Sequence, residues 1–282
     1  MRVLSSIVAC TISVMGLSAA PVSFIDLFGT QVFTQTSDGS AAATGAFLGT
    51  HVYFQAGDFT SATFTPPGGI ATNMPVSSST TFYFGSTSFA DLAAMDAAYA
   101  PGVYAYDSAG PGGNPNAPSN VTVTRPANAY GTSTPYLTNF SSLANMNPAL
   151  GLLVNWDAFT GGLNPTNDPK VPDAYSYVFF TITRDSDNAI VYDAGFLPGA
   201  TASTFLAANT LAGNTAYTFN LVFSNRMIGT TTSGTTDFPP TYGFDLRTLG
   251  SFTTGPMTAT PEPASMGMVL SGLVLIALRR RK

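Results

Sequence analysis

The stretch "HVYFQ", residues 51–55, puts Val52 and Phe54 on one side of an extended chain and His51, Tyr53 and Gln55 on the other. That period of two is the signature of a strand with one buried face. It returns as Leu150, Leu152, Val154 and Trp156 in "ALGLLVNWDAF", and as Tyr217, Phe219, Leu221 and Phe223 in "LAGNTAYTFNLVF". Shorter β-rich stretches, "SATFTPPGG" and "TTFYFGS" among them, are parted by clusters of Gly, Pro, Ser and Asn that suit turns. A chain punctuated this way is expected to be all-β.

One segment breaks the period. In "SFADLAAMDAAYAPG" the residues Phe89, Leu92, Met95 and Tyr99 fall near helical spacing, Ser88 stands as an N-cap with Asp91 three residues on, and Pro101-Gly102 ends the run. The expectation is one short helix set into the first of two consecutive β-sandwich domains, at residues 21–126 and 127–256, joined through the connector "PANAYGTSTP". At 282 residues the chain is long enough for both to bury a core.

Charge narrows the partners. Only 9% of residues are charged, against about a quarter in ordinary soluble domains, so hydroxyls and amides must solvate the surface. Residues 21–260 hold Arg125, Lys170, Arg184, Arg226 and Arg247 against fourteen aspartates, a net of −9 with no basic patch or stripe. Nucleic acid, which is bound by clustered Lys and Arg, is excluded as a partner. Cys10 is the only cysteine and His51 the only histidine. Disulfides, thiolate nucleophiles and cysteine zinc sites therefore drop out of the body, and a Ser-His-Asp triad has one candidate histidine and no G-x-S-x-G turn.

Among the aspartates, pairs such as Asp185/Asp187 and Asp91/Asp96 fit the residue types of a glycoside hydrolase, but "RDSDNAIVYD" also reads as a plain hairpin turn around the first pair. Asp157, Asp168 and Asp173, with Asn164 and Asn167 between them, offer the oxygen ligands calcium takes, though without EF-hand order; Asx turns in a solvated loop explain them equally. No cofactor is expected.

The two ends carry an address. "MRVLSSIVACTISVMGLSAAPVSF" has one basic residue, an apolar run from Val3 to Leu17, then small residues before Pro21, the three parts of a secretory signal peptide over residues 1–20, cut after Ser18 or Ala20. Ile7-Val8-Ala9-Cys10 also resembles a lipobox, with a short apolar run before the cysteine. Export through the Sec machinery and signal peptidase follows. At the other end "TPEPASMGMVLSGLVLIALRRRK" sets the only glutamate, Glu262, between Pro261 and Pro263, ahead of a thirteen-residue apolar run and Arg279, Arg280, Arg281 and Lys282. The prolines keep Glu262 out of the helix, and the basic end belongs on the cytoplasmic side, leaving the body outside.

This tail resembles the PEP-CTERM sorting signal of Gram-negative bacteria: Pro-Glu-Pro, a short transmembrane helix and an arginine-rich end, in that order, over residues 257–282. The resemblance implies an exosortase as partner, Pro261, Glu262, Pro263 and Arg279 to Arg281 as its recognition residues, a transient inner-membrane anchor, and delivery to the envelope or an exopolysaccharide matrix. The second half, from about Pro135 to Gly255, is similar to a fibronectin type III domain in the order of Trp156, Leu211 and Tyr217. That similarity implies a core role for all three and a Tyr217 hydroxyl tied back to upstream backbone; the segments at 161–173 and 229–241 depart from the pattern. Three functions remain: a non-enzymatic surface or matrix protein with an adhesive role, a carbohydrate-binding module marked by exposed aromatics in line with Asp or Asn, and a secreted hydrolase.

Overall fold

A computed structural model describes residues 22–110, 121–127, 133–159, 161, 174–228 and 240–258. The expected signal peptide at 1–20 and the expected sorting tail lie outside them, and among the described residues no helix is long and apolar enough to cross a membrane. In chain order the elements are β1 (Val22–Ser37), β2 (Ser40–Phe54), β3 (Ser61–Thr65), β4 (Thr72–Asn73), β5 (Val76–Ser78), β6 (Thr81–Gly85), α1 (Leu92–Ala98), β7 (Gly102–Ala109) and β8 (Val121–Arg125). A single 3-10 turn, Phe140–Ser142, precedes β9 (Leu152–Asn155), β10 (Ala174–Arg184), β11 (Ala189–Pro198), β12 (Ser203–Leu206), β13 (Ala216–Ile228) and β14 (Thr241–Thr253).

The all-β class with one short helix is as expected, but the two sandwiches share a wall. One sheet runs β11-β10-β13-β14-β1-β2-β6-β5, and the parallel pair β1–β14 joins the halves, from Asp26 beside Thr241 to Thr34 beside Leu249. Two small sheets cover the same face of it, β12-β9 over one half and β4-β3-β7-β8 over the other. The expected change at 126/127 thus parts most of one core from most of the other, while the sheet runs across it.

Alternation explains both cores. Ile25 and Leu27 of β1, with Leu48, Val52 and Phe54 of β2, meet Phe64, Tyr104, Tyr106 and Val123 of the four-stranded sheet. Phe33, further along the same face of β1, meets Val154, Trp156, Val178, Phe180, Tyr217, Phe219 and Phe244. Gln35 ties β1 to the segment before β9 beside this second core: buried, it donates from Nε2 to the Leu137 carbonyl and accepts the Leu137 N–H at Oε1, each at 2.7 Å. Trp156, Leu211 and Tyr217 are all buried. Trp156 donates from Nε1 to the Thr201 carbonyl at 2.8 Å and stacks on Phe180, and the Tyr217 hydroxyl accepts the Ala212 N–H at 2.8 Å.

The helix starts later than its sequence suggests. Its N-cap is Asp91, whose carboxylate accepts the Ala94 N–H at 2.8 Å, and not Ser88. Phe89 exchanges two backbone hydrogen bonds with Ala46 of β2, which holds that stretch extended until after the bridge. Met95 alone of the helix is fully buried, against the first core.

Candidate functional site

The face of the large sheet opposite the two cores is left uncovered by the small sheets. On β1 the residues alternating with Ile25 and Leu27 are Asp26, Phe28 and Thr30; on β14 they are Gly243, Asp245 and Arg247; on β13, Asn220, Val222, Ser224 and Arg226. These rows lie side by side because Thr30 pairs with Asp245, and Asp245 with Ser224.

At the seam between the halves sits a buried ion cluster. Arg226 reaches Asp245 through Nη1 at 2.7 Å and Nη2 at 3.3 Å, and Asp26 through Nε at 2.9 Å. Thr241 donates to Asp26 at 2.7 Å, and Nη1 also donates to Ser224 Oγ at 2.6 Å. Phe28 and Tyr177 flank the guanidinium, their ring centres 5.1 and 5.8 Å from it. Burial works against the Arg226 charge, but Asp245 and then Asp26 outweigh it and hold the group well above its usual pKa. Two glycines make the room. A Cβ on Gly243 would strike the Asn225 carbonyl oxygen and the Arg226 side chain, and one on Gly49 would come within 2.5 Å of the Phe28 ring.

Beside the cluster opens a cavity of about 330 Å3, at the lower end of the range of roughly 300–1,000 Å3 typical of small-molecule sites. Phe28, Phe47, His51 and Tyr83 line it from β1, β2 and β6; Tyr177, Phe179 and Phe196 line it from β10 and β11; Thr30, Asn220, Asp245 and Arg247 supply polar groups. His51 is stacked between neighbours, 4.7 Å from the Tyr83 ring and 5.4 Å from Phe28. Its pKa is lowered, chiefly by burial, against the pull of Asp26 and with help from Arg226, so the ring is neutral at pH 7. Burial likewise raises Tyr177 to about 12. Phe196, on the sheet's edge strand, is 76% exposed. Asp245 is the one acid among the lining residues, and it is held by Arg226 and Ser224.

The sequence candidates are scattered by comparison. Asp91 caps the helix and Asp96 pairs with Arg125 at 2.5 Å. Asp185 and Asp187 sit in the turn between β10 and β11, Asp187 bound to Arg184 and Asp185 accepting the Thr218 hydroxyl. Asp157 accepts the Tyr136 hydroxyl at 2.6 Å, while Asp168, Asp173, Asn164 and Asn167, the rest of the calcium candidates, lie outside the described residues. Among the described residues no group of three or more His, Cys, Asp or Glu could hold a metal. Pro261, Glu262, Pro263 and Arg279 to Arg281 lie outside the described residues as well. Sequence reasoning put His51 on the polar face but missed Thr30, Arg247 and the aromatic walls; the signal was present in "TYGFDLRTLGSF", where Gly243, Asp245 and Arg247 alternate with Tyr242, Phe244 and Leu246.

Comparison with known proteins bears on the address more than the cavity. No curated protein matches the sequence. A solved structure titled "Crystal structure of tetra-tandem repeat in extending region of large adhesion protein" aligns with 81% of this chain and 49% of its own length, at 13% identity and a TM-score of 0.23. The chain therefore spans about half of that structure, and so low a score carries no inference about fold or function. Residues 259–282 match the PEP-CTERM protein-sorting motif, covering the Pro-Glu-Pro, the apolar run and the basic end. The chain thus carries the PEP-CTERM sorting motif of an exported protein handled by an exosortase.

Proposed function

We propose that this is a non-enzymatic surface or matrix protein that, once sorted at its tail, holds a polysaccharide of the envelope or exopolymer layer on the open face of its large sheet. The cavity carries the proposal. Rings on both walls offer faces to the apolar side of a sugar, and Thr30, His51, Asn220 and Arg247 offer hydrogen bonds to its hydroxyls. The one lining acid is already ion-paired, which favours binding over the two-carboxylate chemistry of glycoside hydrolysis. The second half supports the use of a display module: β12-β9 faces β11-β10-β13-β14 and the Tyr217 hydroxyl is held at Ala212, two features in keeping with a fibronectin type III-like sandwich.

A glycan array probed with the detergent-solubilised full chain tests the binding half of this proposal. Retention on polysaccharide, lost in Phe196→Ala, is expected, and a flat array would overturn it. The tail is tested by intact mass from the native host: trimming near Glu262 only when the exosortase is present is expected, and an untrimmed tail in both strains contradicts matrix delivery by this route.

A further inference from the structure

We infer that the cavity takes an acidic saccharide unit, a hexuronate or its chemical equivalent, whose carboxylate is received by Arg247. This rests on the polysaccharide-binding proposal above and specifies its ligand. Four basic side chains of the body are described, and three of them already hold acids: Arg125 with Asp96, Arg184 with Asp187, and Arg226 with Asp26 and Asp245. Arg247 has no acid within ion-pair distance among the described residues, in a body where aspartates outnumber basic residues fourteen to five. Its Nε is anchored on Asn220 Oδ1 at 2.9 Å, and among the described residues no hydrogen bond engages its two terminal nitrogens. A guanidinium fixed through Nε presents those nitrogens as the fork that binds a carboxylate in bidentate fashion. Burial lowers the Arg247 pKa from its usual value against the pull of Asp245, which is itself committed to Arg226, and a guanidinium stays charged under such a shift.

Two further polar atoms point the same way. Thr30 is 1% exposed and lines the cavity, yet its Oγ1 has no partner among the described residues, and the same holds for Nδ1 of His51. Buried polar atoms are nearly always paired, so two orphans on one cavity wall indicate bonds completed by a bound group. A sugar hydroxyl can accept from Thr30 and donate to the neutral His51 ring. Tyr83 of β6 and Phe196 of β11 both line the cavity and offer ring faces to the sugar.

Isothermal titration of the full chain in detergent separates the possibilities, using oligogalacturonate and oligomannuronate, their methyl esters, and neutral gluco-oligosaccharides. The expected result is binding of at least one acidic oligomer about tenfold or more tighter than its ester. Arg247→Gln should bring the acid down to the ester's level, Arg247→Lys should recover part of the gap, and Phe196→Ala should weaken acid and ester alike. Should Arg247→Gln fail to fold, Asn220→Ala, which releases the anchor and keeps the charge, should narrow the gap instead. Equal binding of acid and ester, or retention of neutral oligosaccharides only, overturns the inference and leaves polysaccharide binding standing. No binding to any member of the set or to the array overturns both.

Discussion

Arg226 is the residue on which the outer face depends, because it compensates the buried Asp26 and the partly buried Asp245 from different halves of the chain. Arg226→Met leaves Asp26 and Asp245 facing each other without a cation, and a broken buried ion cluster costs about 3–5 kcal/mol. Urea unfolding of the full chain should show that loss, and a change under about 1 kcal/mol would mean the cluster is not buried as described. His51 sets a pH dependence. Its folded pKa lies below the unfolded value near 6.5, so the unfolded chain binds the proton first as pH falls; stability is complete above that value and declines beneath it. Thermal midpoints should fall between pH 7.5 and 5.5 in the wild type and fall less in His51→Phe. Neither role was legible in the sequence. Alternation says that Asp26, Arg226 and His51 point away from Leu27, Phe223 and Val52, but not that they meet across four strands.

At the scale of elements, β14 is the hinge between local and long-range information. Its core side, Tyr242, Phe244 and Leu246, follows from the period of two, as do Val52 and Phe54 on β2. Its place beside β1 does not, since a parallel pair between residues some two hundred positions apart leaves no turn signal between them. The helix shows the same limit in miniature: its apolar spacing was readable, while its true cap was decided by the bridge from Phe89 to Ala46. Gly243 tests the packing of β14. Gly243→Ala pushes a methyl into the Asn225 carbonyl and the Arg226 side chain, and overpacking of that kind costs about 1–3 kcal/mol. A denaturant midpoint shifted downward with an unchanged slope is the expected outcome; an unchanged midpoint would show that the outer face can relax.

For the molecule as a whole, composition and the two ends disclosed the β class and the export address, and the sorting motif at 259–282 bears out the latter. The shared sheet changes what the halves can do alone. A fragment beginning at residue 127 loses β1 and bares the edge of β14 from Thr241 to Leu249, a ready template for aggregation. It should be recovered insoluble, or as an oligomer by light scattering, whereas a soluble monomer with a cooperative melt would show that the second half closes unaided. The cavity lies on the wall that both halves build, so binding and the joined fold stand or fall together.

The most direct test of polysaccharide holding is co-sedimentation of the protein with envelope polysaccharide extracted from its own host, comparing wild type with the Tyr83→Ala/Phe196→Ala double variant. We expect the wild type in the pellet and the variant, folded by its melting curve, in the supernatant. Equal partition of the two, or a wild type that stays in solution, would contradict the assignment of this face as the binding surface.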